Sequence, residues 1–217
     1  MAVEFWRYLR DSTPERRRSR YGDMEYDWEH HVNTTSGSVG WRERLLGIFH
    51  TPYQPTDPVL FGEMMAELPI DFSRFTFVDL GSGKGRTLLL ASQYPFRRIV
   101  GVELIAGLHQ IALENLSIYK SDSQKCFAVE AICGDAADFP FPEEPMVLYL
   151  FNPLPESGLK RAMASLQNSL NAHSRPVYVL YHNPLLEVVL SESTGLTKVS
   201  GTHQYSLYAD RKTAAQK

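Results

Sequence analysis

From residue 75 onward, short runs of consecutive apolar residues alternate with longer stretches in which apolar residues recur every three or four positions. Phe75–Leu80, Arg98–Val102, Phe127–Ile132, Met146–Leu150 and Pro176–Tyr181 read as strands. Lys84–Tyr94, Ile105–Tyr119, Glu156–Leu170 and a stretch from Pro184 read as helices. Strands that are apolar at nearly every position must be covered on both faces, so the pattern predicts a doubly wound α/β fold around a mostly parallel sheet. The end of the chain departs from this alternation. Leu196–Ser200 and His203–Tyr208 flank Gly201-Thr202, a pair suited to a two-residue turn, which predicts an antiparallel hairpin closing the sheet edge.

Upstream, Asp57-Pro58 reads as an N-cap followed by proline at the first helical position, opening a helix to about Leu68. Thr51–Pro55 is a rigid linker, and Trp41, Leu45, Leu46, Ile48 and Phe49 recur with helical spacing after the polar loop Asn33–Ser38. The expected organisation is a helical extension over residues 1–50 that packs on the core and caps an acceptor site, a main domain over 51–210, and a short tail over 211–217.

Composition narrows the classes. With 217 residues, 43% of them hydrophobic and 22% charged, the chain suits one soluble core. The formal net charge is −3, which disfavours a protein whose whole surface coats nucleic acid or anionic membrane. That charge is uneven. Residues 1–20 hold six arginines against three acids, +3, leaving −3 − 3 = −6 on the remainder. Arg16, Arg17, Arg18 and Arg20, beside Trp6, Tyr8 and Tyr21, read as a solvated terminus in preference to a nucleic-acid contact. The longest apolar runs are of strand length and the first residues lack a secretory pattern, so a cytoplasmic protein is expected. Cys126 and Cys133 have neither redox nor zinc spacing and read as buried thiols. His30-His31 beside Glu29 lacks a third ligand, so no metal is expected.

The sharpest chemical signal is Phe77-Val78-Asp79-Leu80-Gly81-Ser82-Gly83-Lys84-Gly85-Arg86-Thr87, which leaves a strand, turns on three glycines and enters a helix. Glycines are required where φ is positive or a ligand touches backbone, and this edge of an open sheet is where nucleotides bind. The phosphate-loop pattern fails at both ends, because Val78 stands where its first glycine belongs and Gly85 follows Lys84. A dinucleotide loop would carry an apolar residue where Asp79 stands. An acid there repels pyrophosphate and suits a ligand with a cationic amino group.

Two further elements share that edge. Glu103 ends Val100-Gly101-Val102-Glu103, twenty residues after Gly83, where a carboxylate can accept from both hydroxyls of a ribose. Asp135, in Cys133-Gly134-Asp135-Ala136 after the third strand, can accept from an adenine amino group while the Ala136 amide donates to the ring.

VDLGSGKG, GVEL, CGDA and YLFNP, in that order, resemble the motif set of the class I, seven-stranded S-adenosylmethionine-dependent methyltransferases. The resemblance runs from about Tyr53 to Tyr208 and includes the terminal hairpin, which dinucleotide-binding domains lack. It implies a seven-stranded sheet and S-adenosylmethionine as cofactor. Asp79, Gly81 and Gly83 would line its methionine end, with Leu80, Ser82 and Gly85 in the same loop. Glu103 and Leu104 would lie at the ribose, Asp135 and Ala136 at the adenine, and Asn152 beside them.

Candidate catalytic residues follow the fourth and fifth strands. Asn152, in Phe151-Asn152-Pro153-Leu154-Pro155, can accept a bond from an amine and aim its lone pair, and Asn152-Pro153 equally serves to turn the strand into its helix. An aromatic after the prolines, frequent in enzymes that methylate planar amino groups, is missing. His182, before a second Asn-Pro-Leu, is a candidate base near neutral pH. Tyr53 is a candidate to fold over the methionine moiety. The expected function is methyl transfer to an unidentified acceptor, with nitrogen favoured as the atom and a protein or small molecule favoured over nucleic acid. The alternative is a non-catalytic module that keeps the cofactor fold and binds RNA through the arginine run. A nicotinamide-dependent reductase is disfavoured by Asp79 and the hairpin.

Overall fold

The computed structural model describes residues 24–35 and 54–210. Seven strands form one sheet: β1 Thr76–Leu80, β2 Arg98–Glu103, β3 Val129–Cys133, β4 Met146–Leu150, β5 Val177–His182, β6 Leu196–Gly201 and β7 Tyr205–Asp210. Their order is β3-β2-β1-β4-β5-β7-β6, with β1 to β5 parallel and β7 antiparallel to both β5 and β6. The helices after residue 54 are α1 Pro58–Ala66, α2 Arg86–Ser92, α3 Ala106–Ile118, α4 Glu156–Ala172 and α5 Glu187–Ser193. The seven-stranded α/β expectation, hairpin included, is met.

Period-two alternation explains why the central strands are apolar throughout. Phe77, Val147, Tyr149, Tyr178 and Leu180 point into one core cluster, shared with Phe61, Met64 and Met65 of α1 and Leu88 and Leu89 of α2. Val78, Leu80, Leu148, Leu150, Val179 and Tyr181 point into the other, beneath Leu159, Met163 and Leu166 of α4. Asp57 caps α1 as its sequence predicts, accepting from the Leu60 N–H at 2.9 Å. The strand order reverses at β1, between β1 and β4: β2 and β3 follow on one side of β1, and β4 and β5 on the other. Ligand crevices open at such a switch point, outside the carboxyl ends of the strands.

Three local expectations are corrected. The hairpin does not turn at Gly201-Thr202. Thr202 donates to the Tyr205 carbonyl at 2.8 Å, so His203 and Gln204 are the central turn residues. The displacement follows from an irregularity between Lys198 and Ser200 that shifts the pairing register. Gly201 is needed for another reason: a Cβ there would lie 2.6 Å from the Tyr205 carbonyl oxygen. The helix placed from Pro184 starts at Glu187, because Asn183 is left-handed (φ 48°) and the Leu185 N–H folds back to the Asn183 carbonyl. The helix placed from Lys84 starts at Arg86, after Gly85 at φ 85°. The Trp41–Phe49 helix and Tyr53 lie outside the described residues.

Residues 24–30 are helical, and Tyr26 and Val32 join the first core cluster. Asp27 organises this segment. Its carboxylate accepts from the Thr34 and Thr35 amides, at 2.7 Å each, from both their hydroxyls, and from Arg86 Nη2 at 3.2 Å. Arg86 is 1% exposed, also donates to Thr34 Oγ1, and lies 4.6 Å from the Tyr26 ring centroid. Asn115 of α3 joins the same contact, exchanging bonds with the Asn33 backbone and donating to the Lys84 carbonyl. Residues 24–35 are thereby fixed to the start of α2, one turn from the glycine loop. Removing one partner of a buried ion pair strands the other. Asp27→Ala is expected to lower the free energy of unfolding by roughly 3–5 kcal/mol, read by urea denaturation. A loss within about 0.5 kcal/mol, the range of an ordinary surface change, would contradict this placement.

Candidate functional site

Five parallel strand ends supply the floor of one cleft. Its wall includes Asp79, Gly81, Ser82 and Gly83 after β1, Glu103 and Leu104 after β2, and Asp135 and Ala136 after β3. Tyr149, Phe151 and Asn152 from β4 and its loop, Asn183 after β5, and Gln54 and Thr56 ahead of α1 complete the opposite side. Of the eleven residues expected at the cofactor, nine line this cleft; Leu80 and Gly85 do not. Leu80 points into the second core cluster. Gly85 serves packing, since a Cβ at that position would sit 3.2 Å from Ala112 of α3.

The glycine loop is held by backbone and by a carboxylate. The Gly81 and Ser82 amides both donate to the Val102 carbonyl, at 2.8 and 3.0 Å. Gly83 donates to Glu103 Oε2 at 2.8 Å, while Glu103 Oε1 accepts from the Ile105 amide at 2.8 Å. Gly81 is irreplaceable on two counts. It takes φ 84°, and a Cβ would lie 2.5 Å from Pro153 Cβ, so the glycine loop and the Asn152-Pro153 turn touch.

Two carboxylates are buried in this wall. Asp79 is 2% exposed, and burial, with the Glu103 charge adding to it, pushes its carboxyl up to about 8, against a smaller opposing effect of a hydrogen bond with Thr87. Burial likewise raises Glu103, opposed by the amides of Ile105, Gly83 and Leu104. The pair makes the cleft a site for a cationic group. The cations of the loop are engaged elsewhere: Lys84 Nζ donates to Asn33 Oδ1 and the Thr35 carbonyl, and Arg86 to Asp27.

Asp135 stands at the rim. Its Oδ1 accepts from the Ala137 amide at 2.8 Å and its Oδ2 from Arg161 Nη2 at 3.1 Å. Leu104, 52% exposed, joins Val102, Ile105 and Leu108 in an apolar wall between Glu103 and Asp135. A flat apolar ring can lie against it.

Of the two catalytic candidates, Asn152 lines the cleft and His182 does not. Asn152 is left-handed (φ 46°), and both ends of its amide are engaged: Nδ2 donates to the Asn183 carbonyl at 2.8 Å and Oδ1 accepts from Tyr181 OH at 2.9 Å. The two Asn-Pro turns therefore clasp each other. His182 stands behind the wall. Its Nδ1 lies 2.7 Å from Tyr149 OH, its ring stacks on Phe151 at 3.8 Å, and burial pushes it down to about 4. Sequence reasoning missed Thr56, Thr87 and Tyr149. Tyr149 carried a signal, a lone hydroxyl inside an apolar strand; the two threonines carried none. It also missed Asp27 and Arg161, whose partners lie 59 and 26 residues away.

No protein-family model matches the chain, and no curated protein matches it. Solved structures do. A protein described as a predicted N6-adenine-specific DNA methylase from Listeria monocytogenes superposes with a TM-score of 0.53 at 16% identity, covering 75% of this chain and 53% of that one. The PH0226 protein from Pyrococcus horikoshii superposes with a TM-score of 0.52 at 16% identity, covering 85% and 97%. The chain thus spans about half the length of the Listeria protein and nearly all of the Pyrococcus one. The fold is that of the class I methyltransferases, as the motif order implied. Among the described residues no helix is long and apolar enough to cross a membrane.

Asp79 gives the cleft a measurable cost. The native chain keeps a proton on Asp79 up to about pH 8, whereas an unfolded chain releases it near 3.8. The native state therefore binds more protons across that window, and this group's contribution to stability falls as pH rises from 3.8 to 8. Asp79→Asn is expected to raise the thermal midpoint at pH 8 and to gain progressively less towards pH 4. An equal gain at both pH values would contradict the burial argument.

Proposed function

We propose that the chain is a cytoplasmic S-adenosylmethionine-dependent methyltransferase. The observation that carries this reading is the conjunction, on one cleft wall, of a fully buried acid before a glycine turn and a second acid that grips that turn from β2. The residues present fit the cofactor. Ser82 Oγ is buried in the wall with no hydrogen-bond partner, a polar atom that a ligand can satisfy. Asp79 would take the ammonium, Glu103 the ribose hydroxyls, Asp135 and Ala136 the adenine edge, and Leu104 and Leu108 its face. Arg161 holds Asp135 in place for that contact.

When bound, the cofactor supplies a sulfonium methyl group that a nucleophile takes by in-line displacement. The chain contributes alignment, which is worth a large share of such a reaction. On the side of the cleft facing the cofactor wall, Phe151 presents an aromatic face and Gln54 and Asn183 amide side chains, with no carboxylate among them. This favours nitrogen as the acceptor atom, since a neutral amine needs positioning and a place for its proton and no strong base. The net charge of −3 supports a protein or small molecule over nucleic acid.

Glu103→Ala is expected to weaken S-adenosylmethionine binding by roughly tenfold to a hundredfold in calorimetry, the loss of charged hydrogen bonds to hydroxyls. Unchanged affinity would remove Glu103 from the site. Transfer of label from methyl-labelled cofactor into a cell extract, followed by separation into small-molecule, protein and nucleic-acid fractions, tests the acceptor. Label in the nucleic-acid fraction alone would overturn the acceptor class. Salt-sensitive RNA binding without turnover would favour the binding module instead.

A further inference from the structure

The glycine loop carries a lysine that the cofactor reading leaves unused. From Gly81 to Thr87 every residue lines the cleft except Lys84 and Gly85. Gly85 serves packing against α3, whereas Lys84 is 7% exposed and turns its ammonium towards residues 33–35. Its Nζ donates to Asn33 Oδ1 at 3.0 Å and to the Thr35 carbonyl at 2.9 Å. Both acceptors are themselves held. One side chain, Asn115 of α3, accepts from the Asn33 amide at 2.8 Å and donates to the Asn33 carbonyl at 3.0 Å. It also donates to the carbonyl of Lys84 itself at 2.9 Å, which fixes the register between the lysine and its acceptor. Thr35 is fixed by the bonds of its amide and hydroxyl to Asp27.

Another partner lies close along the chain. Gly83 donates to Glu103 Oε2, and the Lys84 Cα follows that of Gly83 by one peptide, about 3.8 Å. A lysine carries its charge on a flexible four-carbon stem. Glu103 is a buried carboxylate, so an untethered ammonium beside it would be drawn into an ion pair. That pair would neutralise one of the two acids that suit the cleft to cations. The charges show the opposite arrangement: Asp79 feels Glu103, and Lys84 feels Asp27. Asp27 pairs with Arg86 as well. The counter-charge for both cations of the loop is thus supplied by residues 24–35 and not by the cleft.

We propose that residues 33–35 set the charge selectivity of the cleft: by holding the Lys84 ammonium away, they leave Asp79 and Glu103 to a cationic ligand. One consequence rests on the S-adenosylmethionine reading. That cofactor carries a sulfonium charge which its demethylated product, S-adenosylhomocysteine, lacks. With Lys84 withdrawn the cleft favours the charged substrate over the uncharged product, and with Lys84 admitted it loses that preference. Asn33 and Asn115 are positioning residues that act through Lys84.

The withdrawal is tested first without any cofactor, by carbon-13 NMR titration of the Glu103 carboxyl, assigned by its loss in Glu103→Gln. Lys84→Met is expected to leave the Glu103 midpoint where the native chain has it. Asn33→Ala is expected to lower the midpoint, and Asn33→Ala combined with Lys84→Met to restore it. Asn33→Ser, whose hydroxyl falls short of Nζ, takes the place of Asn33→Ala if the latter does not fold. A shift in Lys84→Met alone would overturn the proposal. So would an unmoved midpoint in the folded Asn33 variant, or a fall that survives in the double variant. In calorimetry at pH 7, the Asn33 variant is expected to cut the ratio of affinities for S-adenosylmethionine over S-adenosylhomocysteine by roughly tenfold, the effect of one unit charge about 10 Å away at an effective dielectric of about 20. An unchanged ratio would overturn the selectivity. If the native chain binds neither ligand the cofactor reading fails, and the Glu103 titration still decides the withdrawal.

Discussion

The Glu103 carboxylate accepts from the Gly83 amide with one oxygen and from the Ile105 amide with the other, tying the loop after β1 to the turn after β2. The rest of the cleft is built outward from that tie. The loop it holds crosses so close to the Asn152-Pro153 turn that position 81 has no room for a Cβ, and the turn in turn clasps Asn183 beyond β5. Four strand ends are thereby locked together through backbone groups, one carboxylate and one amide side chain. The Arg86–Asp27 pair secures the far side of the same loop from the start of α2. Preorganisation of this kind holds a ligand site in place without binding energy being spent on ordering its loops.

The arrangement has an electrostatic cost. Asp79 and Glu103 are both buried and each is pushed towards its neutral form. Packed apolar side chains would stabilise the fold more, and the wall retains acids where a ligand would meet them. A cation entering the cleft relieves that strain on Asp79, which links ligand charge to proton release.

Most of the architecture was legible because it rests on local signals. Apolar runs of strand length, the cap at Asp57-Pro58 and the glycine-rich crossing are each written within a few residues. The position of the cleft wall was legible for the same reason: Asp79, Glu103 and Asp135 each lie at or just after the end of a strand whose position is fixed by its apolar run. What stayed hidden depends on register between distant segments. Tyr149 meets His182 and Thr56 only because β4 lies beside β5 and α1 covers that face. Asn152 suited chemistry and turn formation equally in isolation, and the partners of its amide, Tyr181 and Asn183, lie 29 and 31 residues on. Gly85 and Leu80 share the glycine motif yet point into packing, since a motif specifies residue types and the pleat decides which of them face the ligand. The hairpin turn moved because a bulge in β6 leaves no trace in composition.

Calorimetry of the full chain with S-adenosylmethionine at pH 7, repeated in buffers of different ionisation enthalpy, tests the central claim most directly. Binding accompanied by release of about one proton is the predicted result, because a cation meeting a protonated Asp79 must displace its proton. Binding with no proton released would contradict the account of the buried acid, and absence of binding would contradict the assignment of the cleft.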